Sequence, residues 1–255
     1  MKGTWTITKK ELKSFLYSPI AYTLTAFFLL ISGFFFYNIL AWANDQTMRV
    51  MQSGFGMNQI NIHKMLFQPF FNNMTIILMF LLPLLTMRLF ADEKKMHTDE
   101  LLLTSPVKLS AIIIGKYLAA LIIYTLILLL TATYAIFIFI YGNPELLPLL
   151  TAYLGLFLLG AVFIAIGLFA SALSENQVVA AVISFSAIIL IWVLSWIGES
   201  GPGAWKGILT YLSFFSHFQN MVGGVIDTQD IIYYLTFIFL GLYLTRSLFE
   251  FRKWR

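Results

Sequence analysis

The chain has 255 residues, 60% of them hydrophobic and 11% charged, with a formal net charge of +4 and no cysteine. Soluble domains carry about 25% charged residues, so too little polar surface is present to cover a globule in water. The lack of cysteine excludes disulfides, thiolate nucleophiles and cysteine-bound zinc. In chain order, residues 1–17 place Trp5, Leu12, Phe15 and Leu16 among Lys9, Lys10 and Lys13, which predicts an amphipathic interfacial helix. The apolar run that follows is about 24 residues long, beyond the roughly 7–15 of a secretory signal core, so it reads as a span and not as a cleaved leader.

Ser18-Pro19, an N-cap followed by a first-turn proline, opens that first span over about 19–42. Further apolar runs lie at about 70–88, 110–141, 147–171, 177–197 and 230–248. Each approaches or exceeds the roughly 20 residues that cross a hydrocarbon core of about 30 Å. Backbone groups cannot stay unpaired in lipid, so the expected fold is all-α and polytopic with six transmembrane helices. Asn143-Pro144 and Pro148 mark a turn between the third and fourth spans, and Ser174, Glu175 and Asn176 one between the fourth and fifth. The third helix is long for a bilayer, which predicts either a bend near Gly115 or first turns that project beyond the lipid.

Six crossings put both termini on one side. Thirteen Lys and Arg residues fall on that side against three, Arg49, Lys64 and Lys206, on the other, so the termini are expected to be cytoplasmic. ADEKKMHTDELLLTSP, residues 91–106, then also faces the cytoplasm. Its six charges, Asp92, Glu93, Lys94, Lys95, Asp99 and Glu100, would cost about 18 kcal/mol at mid-bilayer at roughly 3 kcal/mol each. A short solvated helix over 92–104 is therefore expected, whose bland alternative is a loop that merely holds topology. On the opposite side, residues 198–229 begin with the breaker Gly198-Glu199-Ser200-Gly201-Pro202-Gly203. They continue with Ile208, Leu212, Phe215 and Phe218 or Val222 at helical spacing up to Gly223-Gly224, which predicts one amphipathic helix.

No phosphate-cradling Gly-x-x-x-x-Gly-Lys-Ser/Thr loop occurs, and no segment between spans is long enough for a nucleotide-binding domain. The span centres lack Asp, Glu, Lys, Arg and His, which argues against a proton relay. His63, His97 and His217 are far apart and form no zinc or hydrolase motif, so the chain is not expected to be an enzyme. Two other classes stay open at this point: a secondary transporter or channel that works without an ATPase, and a membrane scaffold that anchors a cell-surface machine. Gly155, Gly160 and Gly167 could mark a close helix contact or arise by chance.

Asp92-Glu93-Lys94-Lys95, Thr98, Glu100, Leu101-Leu102-Leu103-Thr104-Ser105-Pro106-Val107 and Gly115-Lys116 resemble the cytoplasmic loop of ABC-2 type ATP-binding-cassette permeases. Lys10-Glu11-Leu12 and Ser18-Pro19 resemble the same family's interfacial helix and first span. Residues 213–235 resemble the outer loop of the subgroup that includes the gliding-motility-associated permease. The resemblance implies an exporter subunit in a bacterial plasma membrane, with no cofactor of its own. ATP and Mg would sit on a separate ATPase, present in two copies, and a second permease chain, identical or related, would complete the pathway. It implies further that the 92–104 helix couples to that ATPase through Glu93, Lys94, Lys95, Thr98, Glu100 and Leu101. Residues 198–229 would form a re-entrant or interfacial external cap that includes Phe215, His217, Phe218, Gly223 and Gly224. Nucleic acid is not an expected partner. One departure stands out: the family's usual Gly before Thr98 is His97, which predicts a loop without the break that Gly would permit.

Overall fold

A computed structural model of the protein describes residues 2–52, 63–98, 107–141, 144–200 and 205–253, and every regular element among them is a helix. Six helical stretches are long and apolar enough to cross a membrane: Pro19–Gln52, His63–Lys95, Leu109–Ile140, Leu146–Leu173, Gln177–Leu194 and Thr228–Phe251. The chain is an all-α polytopic membrane protein.

The first helix, α1 (Lys2–Tyr17), stops at Ser18, and α2 (Pro19–Gln52) starts on the proline whose fixed φ suits a first helical position. α2 continues ten residues past the expected end of its span, through Asn44, Asp45 and Gln46. Loss of apolar pattern reports where lipid ends, whereas a helix of good formers simply runs on into water. A π-helical turn, His63–Phe67, leads into α3 (Gln68–Thr86), with Pro69 harmless in its first turn and Pro83 inside. A break at Met87 separates α3 from α4 (Arg88–Lys95).

α5 (Leu109–Tyr141) is unbroken. Its 33 residues extend about 50 Å, more than the bilayer core is thick. Helical hydrogen bonding continues through Gly115, where a bend was one of two expectations. The glycine instead admits α1: a Cβ at this position would sit 2.9 Å from Ile7 Cγ2 and 3.0 Å from the Thr4 carbonyl. Thr8 of α1 donates to the Gly115 carbonyl at 3.2 Å, so α1 lies directly on the first turns of α5.

α6 (Leu146–Leu173) is apolar all round, the mark of a helix surrounded by protein. α3 and α6 are mostly buried, while α2, α7 (Gln177–Ser200) and α10 (Thr228–Lys253) present most of their apolar surface outward. All three glycines flagged in α6 are contact points within this chain, each with a different neighbour. A Cβ would meet Met221 at Gly155, the Tyr124 ring at Gly160 and Thr86 Oγ1 at Gly167, at 2.9, 2.2 and 2.0 Å. Gly241 of α10 approaches the Ala165 backbone of α6 in the same way, at 3.2 Å. Span hydroxyls such as Thr25, Thr75, Thr125 and Thr245 donate to the carbonyl one turn back, which removes the cost of an unpaired OH in an apolar setting.

Between α7 and α10 lie α8 (Trp205–Leu212) and α9 (Phe214–Val222). The single amphipathic helix expected here is thus two. Ser213 adopts extended backbone and its Oγ accepts from Phe215 N, so the residue ends one helix and caps the next.

Candidate functional site

At one end of the bundle α1, α4 and the last turns of α10 converge, with Phe90 against Phe249 at 4.8 Å between ring centres. The break at Met87 strips backbone groups of their helical partners, and Ser171 of α6 replaces them. Its hydroxyl accepts from Phe90 N at 2.9 Å and Ala91 N at 3.1 Å and donates to the Met87 carbonyl at 2.8 Å. One buried hydroxyl so fills its whole hydrogen-bonding capacity and seats α4 on α6.

Lys116 stands at the eighth position of α5, about 10 Å along the helix. An ammonium buried at 2% exposure needs anionic or carbonyl partners. Its Nζ donates to Glu11 Oε1 of α1 at 2.9 Å, to Glu93 Oε1 of α4 at 2.8 Å and to the Leu89 carbonyl at 2.7 Å, and lies 5.1 Å from the centre of the Phe90 ring. The lysine side chain is 2% exposed, Glu11 13% and Glu93 16%, so three elements are held by one largely dehydrated ionic junction. The second Glu93 oxygen is buried and without a hydrogen-bond partner among the described residues. Around it, Arg88 donates to Ser18 Oγ at the α1–α2 elbow and pairs with Asp92, and Gln177 at the start of α7 donates to the other Asp92 oxygen. A polar cavity of about 180 Å³ opens between α1 and α4, lined by Lys10, Glu11, Arg88, Asp92, Glu93 and Lys116 among others.

The charged stretch is therefore not the uniformly solvated helix expected. Lys94 is buried and donates to the Ala172 carbonyl beside the Phe249 ring. Glu93 faces Lys116. Lys95, Met96, His97 and Thr98 are exposed. Glu100 and Leu101 lie outside the described residues, as does the rest of 99–106. The expectation that His97 prevents a break is also corrected. His97 takes φ +53°, with Thr98 N bonded to the Glu93 carbonyl and His97 N to that of Lys94. That is a Schellman motif, whose left-handed position usually holds glycine. The hydrogen bonds that close it satisfy carbonyls that the end of α4 would otherwise leave open.

At the other end of the bundle α9 is packed into the protein. Phe218 is buried against α6, Phe215 half-buried, and Gly223 and Gly224 close α9 in a second Schellman motif with Gly224 at φ +88°. His217 is buried, stacked on Tyr233 at 4.0 Å, and both its nitrogens face acceptors: Asp230 Oδ1 at 2.5 Å and the Tyr211 carbonyl at 2.9 Å. A carbonyl can only accept, so the Nε2 contact is a donation to Tyr211, and Nδ1 faces the Asp230 carboxyl. Thr151 and His63 bind the Met221 and Val222 carbonyls at 2.8 and 2.5 Å. Among the described residues no three acidic or histidine side chains converge to hold a metal.

Lys116, Glu11, Ser171 and Asp230 were not singled out as site residues from sequence. Signals were available for two of them: Lys116 is an isolated cation inside an otherwise apolar run, and both it and Glu11 fall in stretches that carry the resemblance described above.

A six-span helical body with a charged junction at the side of its termini defines a polytopic membrane protein. A family model described as ABC-2 family transporter protein matches residues 5–249, and the chain belongs to that family. Membrane proteins of this family are transport subunits, in general not catalytic themselves, that work with an ATPase partner. No curated protein matches the chain.

Proposed function

We propose that the chain is the permease subunit of an ATP-driven ABC-2 exporter in a bacterial plasma membrane, with cytoplasmic termini. Two copies of a separate ATPase, which binds ATP and Mg, act on two permease chains, identical or related. The 92–104 segment is the coupling element, and its residues divide the work. Lys95 and Thr98, with Glu100 and Leu101 further on, meet the ATPase. Glu93 and Lys94 ground the segment in the membrane body, so a push on the tip moves α1, α5 and α6 together. The likeness of residues 213–235 to the gliding-motility-associated permease supports that subgroup, with Phe215, His217, Phe218, Gly223 and Gly224 closing the outer end of the pathway.

The observation that carries this reading is the junction at Lys116, which joins α1, α4 and α5 directly beneath an exposed tip. The test is co-purification with a separately encoded ABC ATPase, followed by Lys95→Glu/Thr98→Arg. The variant should keep its fold and lose both retention and stimulation of the ATPase, since both positions are exposed. Unchanged retention, or full transport by the chain alone in vesicles, defeats the proposal.

A further inference from the structure

α5 has two apolar clefts on its flanks, and they differ in charge. The one it forms with α6, about 400 Å³ and including Leu128, Ile136, Leu150 and Phe157, has no charged residue in its lining. The one it forms with α10, about 360 Å³, has Ile113, Ile114, Phe239 and Leu242 as walls. Its lining also includes Ser110 in the first turn of α5, Tyr243, and Arg246 near the end of α10. Both helix ends lie on the side of the termini, so Ser110 and Arg246 stand at the outer end of this second cleft and its apolar walls lie further in.

Arg246 is 54% exposed, and its Nε is held by Glu250 one turn on at 2.7 Å. That bond uses one of the five guanidinium donors. Lys108, exposed just before α5, adds a second cation at the same level, against the carboxylate of Glu250. An apolar slot beside a planar cation, with the Lys108 ammonium at the same level, matches an acyl chain joined to a phosphodiester. A zwitterionic headgroup would bring its own ammonium up to these cations. A soluble phosphate would leave the slot empty.

We propose that the α5–α10 cleft is a binding site for an anionic glycerophospholipid of the leaflet on the side of the termini. One acyl chain lies along Ile113, Ile114 and Leu242, and the phosphate sits on Arg246 with the Ser110 and Tyr243 hydroxyls beside it. Lipid composition thereby bears on the α5–α10 contact, whatever the transported molecule.

Native mass spectrometry of the full chain in detergent, with phosphatidylglycerol and phosphatidylcholine of identical chains, tests this. Wild type should retain phosphatidylglycerol preferentially, and Arg246→Gln should lower that preference about fivefold, the factor expected for one interfacial cation. Arg49→Gln, at the other end of the bundle, should leave it unchanged. Ile114→Trp, which fills the slot from an exposed position, should remove the tightest adduct. An equal hold on both lipids by wild type, or a phosphatidylglycerol preference unaltered in Arg246→Gln, overturns the proposal.

Discussion

Lys116 and Glu93, 23 positions apart in sequence, meet at 2.8 Å with Glu11 on the other side of the ammonium. Removing one member of such a group leaves charge without compensation, whereas removing all of them leaves none. Lys116→Met should therefore cost about 3–5 kcal/mol, and the triple variant Lys116→Met/Glu11→Gln/Glu93→Gln should recover most of that loss. Thermal unfolding in detergent separates the two; a triple variant no better than the single one shows that the lysine acts by packing and not by charge.

Ser171→Ala removes one oxygen that serves Phe90 N, Ala91 N and the Met87 carbonyl. The loss should be about 1–3 kcal/mol, with new protease or labelling access at the α3–α4 break. A stability within 0.5 kcal/mol of wild type, on the order of an ordinary surface change, would mean that other groups replace the hydroxyl.

Gly160→Ala drives a methyl into the fully buried ring of Tyr124, and Gly241→Ala drives one into the Ala165 backbone. Each should destabilise by about 1–3 kcal/mol. Gly207, where a Cβ meets nothing within 4 Å, provides the comparison: its alanine variant should be neutral or slightly stabilising, because alanine favours the helix. Equal unfolding temperatures for all three variants contradict the packing described.

His97 and Gly224 occupy the same position in two Schellman motifs. His97→Gly should relieve the left-handed backbone and leave stability equal or higher, by less than about 1 kcal/mol. His97→Val, β-branched in a conformation that such residues avoid, should cost more than about 1 kcal/mol or straighten the end of α4. Retention of the ATPase should follow the valine variant downward and leave the glycine variant intact.

The spans were legible because lipid imposes a local rule: an uninterrupted apolar run of sufficient length must be a helix. Pro19 as a helix start and Asn176 as part of a turn could be read because their signals are equally local. Asn176 Oδ1 accepts from Val178 N at the start of α7, a cap formed within three residues. The junction was not legible. Lys94 and Lys95 are adjacent and chemically identical, yet one is buried against Ala172 and the other faces water. Only the break at Met87 and the seat provided by Ser171, eighty positions away, decide which is which. His217 could be noticed as an isolated ring, but its partner Asp230 was hidden in the first turn of a span, where an acidic residue usually needs no explanation beyond the helix dipole.

Tyr124, Thr86 and Met221 enter the surface of α6 from three separate helices at its three glycines, like pins in a keyed shaft. α6 cannot spin on its axis without driving a ring, a hydroxyl or a thioether into its own backbone. Any movement of that shaft must carry Tyr124, Thr86 and Met221 with it, as one body.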